Sequence, residues 1–292
     1  MPRINRDALK HDGRDRFYQL YLPKSYDSSE AFSLVMYLHG GGGSMNGAFN
    51  NKLDGYAEKY HFILVVPAGT GPGAKRFLGW RSGKIWQSDG SFQELTKYAT
   101  QNNIDDVGYL STVLDDVATK LNINPNKVFV TGISNGGAMS YRLACEMPEK
   151  ITAIAAVASA GYDLKCTPKK PVPVMHIHGK SDPSTLFYGG RGKNPFGFPY
   201  GKLSEFSNPS AKTMIEKWQV INQCSNSSKQ IYQKGQAQCL ESDACKKLVV
   251  FCFDESMGHT WPSGEQYFSP RRIGQVTYDI SFDQIWGFFA KQ

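Results

Sequence analysis

Apolar residues along the chain fall into short, nearly continuous runs, separated by stretches where they recur every three or four positions. The runs at residues 17–22, 32–38, 62–66, 128–131, 151–158, 172–178 and 248–253 are rich in β-branched and aromatic side chains and read as strands. Most lack the apolar–polar alternation of a half-exposed strand, so they are expected to be covered on both faces. Between them, Val107, Leu110, Leu114, Val117 and Leu121 share one face of a helix that Asp105 or Asp106 can cap. A second helix is expected at 135–147, directly behind a strand, and a last one carries Phe282, Ile285, Trp286 and Phe289. Strands alternating with helices predict one α/β domain over 1–292, with a mostly parallel central sheet and helices on both faces.

Two stretches break this rhythm. Residues 69–90 are rich in Gly, Trp and basic side chains, and residues 186–209 in Gly, Pro and aromatics. Long loops inside compact domains are commonly functional, so both are read as loops over a site; the second is treated as an insertion at about 184–210.

Composition adds bounds. The 292 residues are 40% hydrophobic and 20% charged, ordinary for a globular chain able to bury a core. The net charge of +7 is dispersed without a run of like charges, which speaks against nucleic acid as a partner. No apolar stretch approaches the ~20 residues of a membrane span, and the polar N-terminus lacks the apolar core of a signal peptide. Of six cysteines, Cys224, Cys239 and Cys245 lie in a polar stretch where a disulfide is plausible, implying an oxidising compartment. Cys145 and Cys252 sit in apolar-periodic segments and read as small core residues. No CxxC pair occurs, and no metal or other cofactor is expected.

The chemistry is carried by Gly132-Ile-Ser134-Asn-Gly136. A G-x-S-x-G pattern alone is a weak signal, but here an apolar strand ends at Thr131 and a helical pattern begins behind the motif. That is the strand–turn–helix setting of a nucleophile elbow, with Ser134 as nucleophile. A serine hydroxyl needs a base, and in this architecture the order is Ser, acid, His. Among six histidines only His259 follows the last strand. Asp182 follows the strand at 172–178 and is the expected acid, with Asp163 and Asp254 as alternatives. The glycines after His39, Gly40-Gly41-Gly42-Gly43, follow the strand that supplies an oxyanion donor. Gly41 is chosen with Asn135, whose N–H follows the nucleophile. His39 is placed among the substrate-binding residues. Rival readings are a serine peptidase of the same fold, a metal-dependent hydrolase built on His176, His178 and Asp182, and a non-catalytic binding protein.

His39-Gly-Gly, Asp105-Asp106-Val-Gly108-Tyr, Gly132-Ile-Ser134-Asn-Gly-Gly137-Ala-Met, His178-Gly-x-x-Asp182 and Gly258-His259-Thr-Trp261-Pro262 occur in this order. Together they resemble the LpqC-type esterases, the group of poly(3-hydroxybutyrate) depolymerases and feruloyl esterases, over about residues 15 to 290. The resemblance implies an α/β-hydrolase fold and a secreted, metal-free carboxylesterase acting on polyester or plant-wall phenolic esters. It supports the triad Ser134, Asp182 and His259 and the donors Gly41 and Asn135, and it places Trp261 along the substrate cleft. The chain departs from the group at Gly41, where cysteine is frequent. Cys224, in Trp218-x-x-x-Asn222-x-Cys224, resembles a cysteine bridged to one shortly before the last strand. Cys245 is the preferred partner, stapling about 224–245, with Cys239 then paired to Cys166 or free.

Overall fold

The computed structural model describes residues 3–71, 80, 99, 102–159, 166–192 and 208–292, with side chains from residue 5 onward. Parts of the two long loops, at 72–79, 81–90 and 193–207, and the alternative acid Asp163 lie outside the described residues.

Ten strands form one sheet: β1 (Arg3–His11), β2 (Arg14–Leu22), β3 (Phe32–Leu38), β4 (Phe62–Pro67), β5 (Ile123–Ile133), β6 (Ala153–Val157), β7 (Val174–Gly179), β8 (Ser228–Lys234), β9 (Ala237–Ser242) and β10 (Val249–Asp254). Their order is β1-β2-β4-β3-β5-β6-β7-β10-β9-β8. From β4 to β10 all neighbours run parallel, while the outer pairs β1–β2, β2–β4, β10–β9 and β9–β8 are antiparallel. The expectation of a mostly parallel sheet is therefore corrected to a mixed α/β sheet, whose order is consistent with an α/β-hydrolase. The reason is local: β1–β2 and β8–β9 are joined by two-residue turns, and such turns can connect only antiparallel strands. The first is Asp12-Gly13, both with positive φ (50° and 70°), a strong short-range hairpin signal.

Among the described residues the helices are α1 (Gly47–Asn50), α2 (Leu53–Tyr60), α3 (Asp106–Lys120), α4 (Asn135–Glu146), α5 (Ala211–Ile221), α6 (Pro270–Ile273) and α7 (Phe282–Phe289). Asp105 caps α3 by accepting from Gly108 N at 2.9 Å. Asp106 instead turns inward to a fully buried ion pair with Arg16 at 2.7 Å, and Arg16 lies over the Tyr109 ring. Two apolar clusters cover the sheet. One packs α3, α4 and α5, with Tyr109, Met139 and Trp218. The other packs α1, α2 and α7, with Phe62, Phe129 and Phe289. The central strands are thus covered on both faces, as their continuous apolar runs require.

Disulfides join Cys145–Cys166, Cys224–Cys245 and Cys239–Cys252. The Cys224–Cys245 staple is as expected. Cys145 and Cys252 are corrected from lone core residues to bridged ones, and Cys239 pairs with neither Cys166 nor nothing. Cys239 and Cys252 stand directly opposite in the β9–β10 ladder, a partnership hidden until β9 is recognised as a strand.

Candidate active site

The C-terminal ends of three parallel strands converge on one cleft, where loops leaving an α/β sheet can surround a ligand. It is lined by Gly40–Gly43 after β3, Ile133 at the end of β5 with Ser134 just beyond it, and His259 after β10. Tyr37, His39, Asn51, Tyr267 and Phe268 complete much of its wall. It encloses about 820 Å³, its open mouth included.

Ser134 sits between β5 and α4 with φ 55° and ψ −120°, a conformation costly for a residue with a side chain. Packing on both sides enforces it. A Cβ on Gly136 would lie 2.0 Å from Leu38 O, and one on Gly132 would lie 2.6 Å from the Gly136 carbonyl carbon. Only glycine lets β3, β5 and α4 come this close. Ser134 N donates to Val157 O at 2.9 Å, which fixes the turn to β6.

His259 is held by Gly258 N to Gln275 O and by its own N–H to Ile273 O. Its Nδ1 donates to Asp182 Oδ2 at 2.7 Å, so in the neutral ring Nε2 carries the lone pair. Asp182 Oδ1 accepts from the backbone N–H groups of Ser184 and Thr185, both at 2.8 Å. Burial alone would push this carboxyl up. The imidazoles of His259 and His178 more than offset that and hold it well below the usual carboxylate range.

The alternative acid Asp254 is engaged elsewhere. It accepts from Ser256 N and Oγ, Met257 N and Thr277 Oγ1 at 2.6 to 2.9 Å, and so shapes the loop that leads to His259. His176 and His178 are wholly buried, and their ring nitrogens are taken up in hydrogen bonds.

Gly41 lines the cleft within the glycine run, while Asn135 opens α4, whose first turn directs its N–H groups outward. The Asn135 amide pairs with both backbone groups of Trp80, accepting from its N–H at 2.7 Å and donating to its carbonyl at 3.2 Å. Trp80 Nε1 donates to His39 O at 3.0 Å, and the two rings lie 4.9 Å apart, tilted by 35°. His39 Nδ1 donates to Gly40 O while Nε2 accepts from Gly69 N, so the ring clips the glycine loop to the residues after β4. Burial pushes His39 down to about 4, which leaves it neutral at pH 7. It borders the cleft, and its ring nitrogens are engaged by backbone groups of the protein. Trp261 is wholly buried and stands edge-on to Tyr37 at 5.3 Å, one layer behind the cleft wall. Tyr37, Trp80, Tyr267 and Phe268 were not singled out from the sequence; no motif marks them.

The Esterase family profile matches residues 10–240. The resemblance drawn from the five motifs is borne out by curated relatives. The "Probable feruloyl esterase C" of Aspergillus flavus is 31% identical over 188 residues, 62% of this chain and 60% of that protein. "Feruloyl esterase B" of Piromyces equi is 25% identical over 169 residues, 55% of this chain and 30% of its own. The chain thus spans about 60% of the length of the first of these relatives. Among solved structures, an acetyl xylan esterase from Aspergillus awamori superposes with a TM-score of 0.62 at 13% identity, covering 99% of this chain and 100% of that one; this likeness speaks for the fold. Since the family profile covers well over half of the sequence, the chain belongs to the Esterase family.

Proposed function

We propose that the protein is a serine carboxylesterase working through an acyl-enzyme, with Ser134 as nucleophile, His259 as base and Asp182 as acid. The observation that carries this is the His259 Nδ1–Asp182 Oδ2 bond of 2.7 Å, in a residue that shares its cleft with the strained Ser134. His259 Nε2 takes the proton of Ser134 Oγ as that oxygen attacks the ester carbonyl carbon. The N–H groups of Gly41 and Asn135 receive the oxyanion. Collapse expels the alcohol, which leaves with the proton from His259, and water attacks the acyl-enzyme by the same route.

The feruloyl relatives favour phenolic acyl esters as substrates, with hydroxybutyrate polyesters second. A single continuous sheet supports reading the chain as one domain, with the insertion at about 184–210 following the acid in the sequence. The three disulfides support a secreted or periplasmic protein. Trp261 acts on the cleft through Tyr37, and His39 by holding the glycine loop.

The test is a panel of feruloyl, acetyl, short p-nitrophenyl and hydroxybutyrate esters beside peptide anilides, with Ser134→Ala as the blank and an organophosphonate as label. Ester turnover with labelling at Ser134 is expected. Turnover of anilides in preference to esters, or activity surviving in Ser134→Ala, overturns the reading.

A further inference from the structure

Beyond Asp182 the hydrogen bonding continues into the core. Thr185, whose N–H holds Asp182 Oδ1, accepts at its carbonyl from His178 Nε2 at 2.7 Å. A carbonyl can only accept, so Nε2 of His178 carries the proton. His178 Nδ1 lies 2.9 Å from His176 Nε2, and His176 Nδ1 lies 2.6 Å from the Tyr141 hydroxyl. With both rings neutral, one assignment satisfies every atom in the row. Tyr141 donates to His176, His176 donates from Nε2 to His178, and His178 donates from Nε2 to Thr185. All three side chains are 0% exposed, so an unmet donor or acceptor here would be costly and no water is needed to complete the row. Burial and the neighbouring His178 hold His176 far below its ordinary value, in keeping with a neutral ring.

The row also joins the two halves of the site. Tyr141 lies on α4, the helix that Ser134 begins, while His176 and His178 lie on β7, which ends at the acid turn. His178 Nε2 stands 3.6 Å from Asp182 Oδ2, too far for a hydrogen bond, with Thr185 O as its nearer acceptor.

We propose that His178 is the positioning residue for the acid: by holding the Thr185 carbonyl it fixes the turn whose N–H groups grip Asp182 Oδ1, which keeps Oδ2 on His259, while Tyr141 and His176 lock the His178 tautomer. The inference rests on the Ser134–His259–Asp182 reading. Its energetic logic is that a carboxylate free to rotate between partners would share its hydrogen bond, whereas a misplacement of about 1 Å at a catalytic group costs on the order of 10²-fold in rate.

The experiment compares His178→Leu, which removes the donor, with His178→Gln, whose amide reaches toward the same carbonyl. His178→Leu should lower kcat by about 10²-fold with KM changed less than about twofold, and His178→Gln should recover at least about tenfold of that loss. A loosened Asp182 stabilises the His259 imidazolium less, so the acidic limb of the kcat/KM profile should move to lower pH in His178→Leu. Nitrogen-15 NMR of histidine-labelled wild-type protein should show His176 and His178 as Nε2–H tautomers. Tyr141→Phe should change the His176 signals, a readout available even where His178→Leu fails to fold. A folded His178→Leu with wild-type kcat and an unmoved limb, or an Nδ1–H tautomer at His178, overturns the inference. Ser134→Ala run in parallel separates the cases: activity there sinks the triad itself, whereas an inert Ser134→Ala beside a fully active His178→Leu sinks only the positioning role.

Discussion

Ser134 is the nucleophile of the proposed mechanism, and its backbone carries a conformational cost. The positive φ is tolerated because Gly132 and Gly136 allow Leu38 and α4 to close around it. Ser134→Ala keeps that geometry but removes the attacking oxygen, so kcat should fall by on the order of 10⁶ with the fold intact by circular dichroism. Asp182→Asn keeps the shape of the acid but presents the wrong partner to His259 Nδ1, and kcat should fall by about 10⁴. Asp254→Asn tests the choice between two buried aspartates. Its four accepted bonds all belong to the loop and Thr277, so its loss should appear in the urea midpoint rather than in the rate. A rate loss as large as that of Asp182→Asn would transfer the acid's role to Asp254.

At the scale of elements, the stretch from Cys224 to the last strand flanks the strand that leads to His259. β8 and β9 form a hairpin on the outer edge of β10, and His259 follows β10 by five residues. The Cys224–Cys245 bridge, 21 residues apart, ties the end of α5 to the start of this strand. On the chain-entropy account it contributes about 3 kcal/mol. The double variant Cys224→Ala/Cys245→Ala should lose stability of about that size in urea titration. Non-reducing peptide mapping of oxidised protein should return the three pairs 145–166, 224–245 and 239–252. A free thiol at Cys224 would remove the staple and with it much of the support for an oxidising compartment.

Over the whole molecule, two buried histidines contribute to the pH dependence of stability. His39 is held at about 4 by burial, and His176 is displaced in the same direction. An unfolded chain protonates such a ring near its ordinary pKa of about 6.5, whereas the native state does not. Between those values the unfolded state binds more protons, so stability falls as pH falls. For His39 that contribution is complete above about 6.5 and ebbs as pH falls to about 4, on the order of 3 kcal/mol in all. Urea midpoints from pH 7 to 4 should show this decline, and His39→Gln should flatten it. An equal slope in wild type and variant would show that the His39 ring is not held neutral.

The sequence determined whatever is encoded in local pattern or fixed order. The apolar runs marked all six strands of the parallel centre, and the glycines around Ser134 announced a close approach that a Cβ would forbid. The proposed order Ser134, Asp182, His259 rests on which strand each residue follows, which periodicity reveals. Tertiary structure decided the rest. β1 and β8 are edge strands with polar, exposed faces, so they carry no apolar run, and missing them made the sheet look more parallel than it is. The partners of Cys145 and Cys252 followed from packing and strand register, not from spacing. Trp261 sits behind the wall and Trp80 locks Asn135 to His39 because side chains from separate loops meet there. A chain pattern can state that a residue is buried, but only the assembled sheet fixes which neighbour its hydrogen bonds will find.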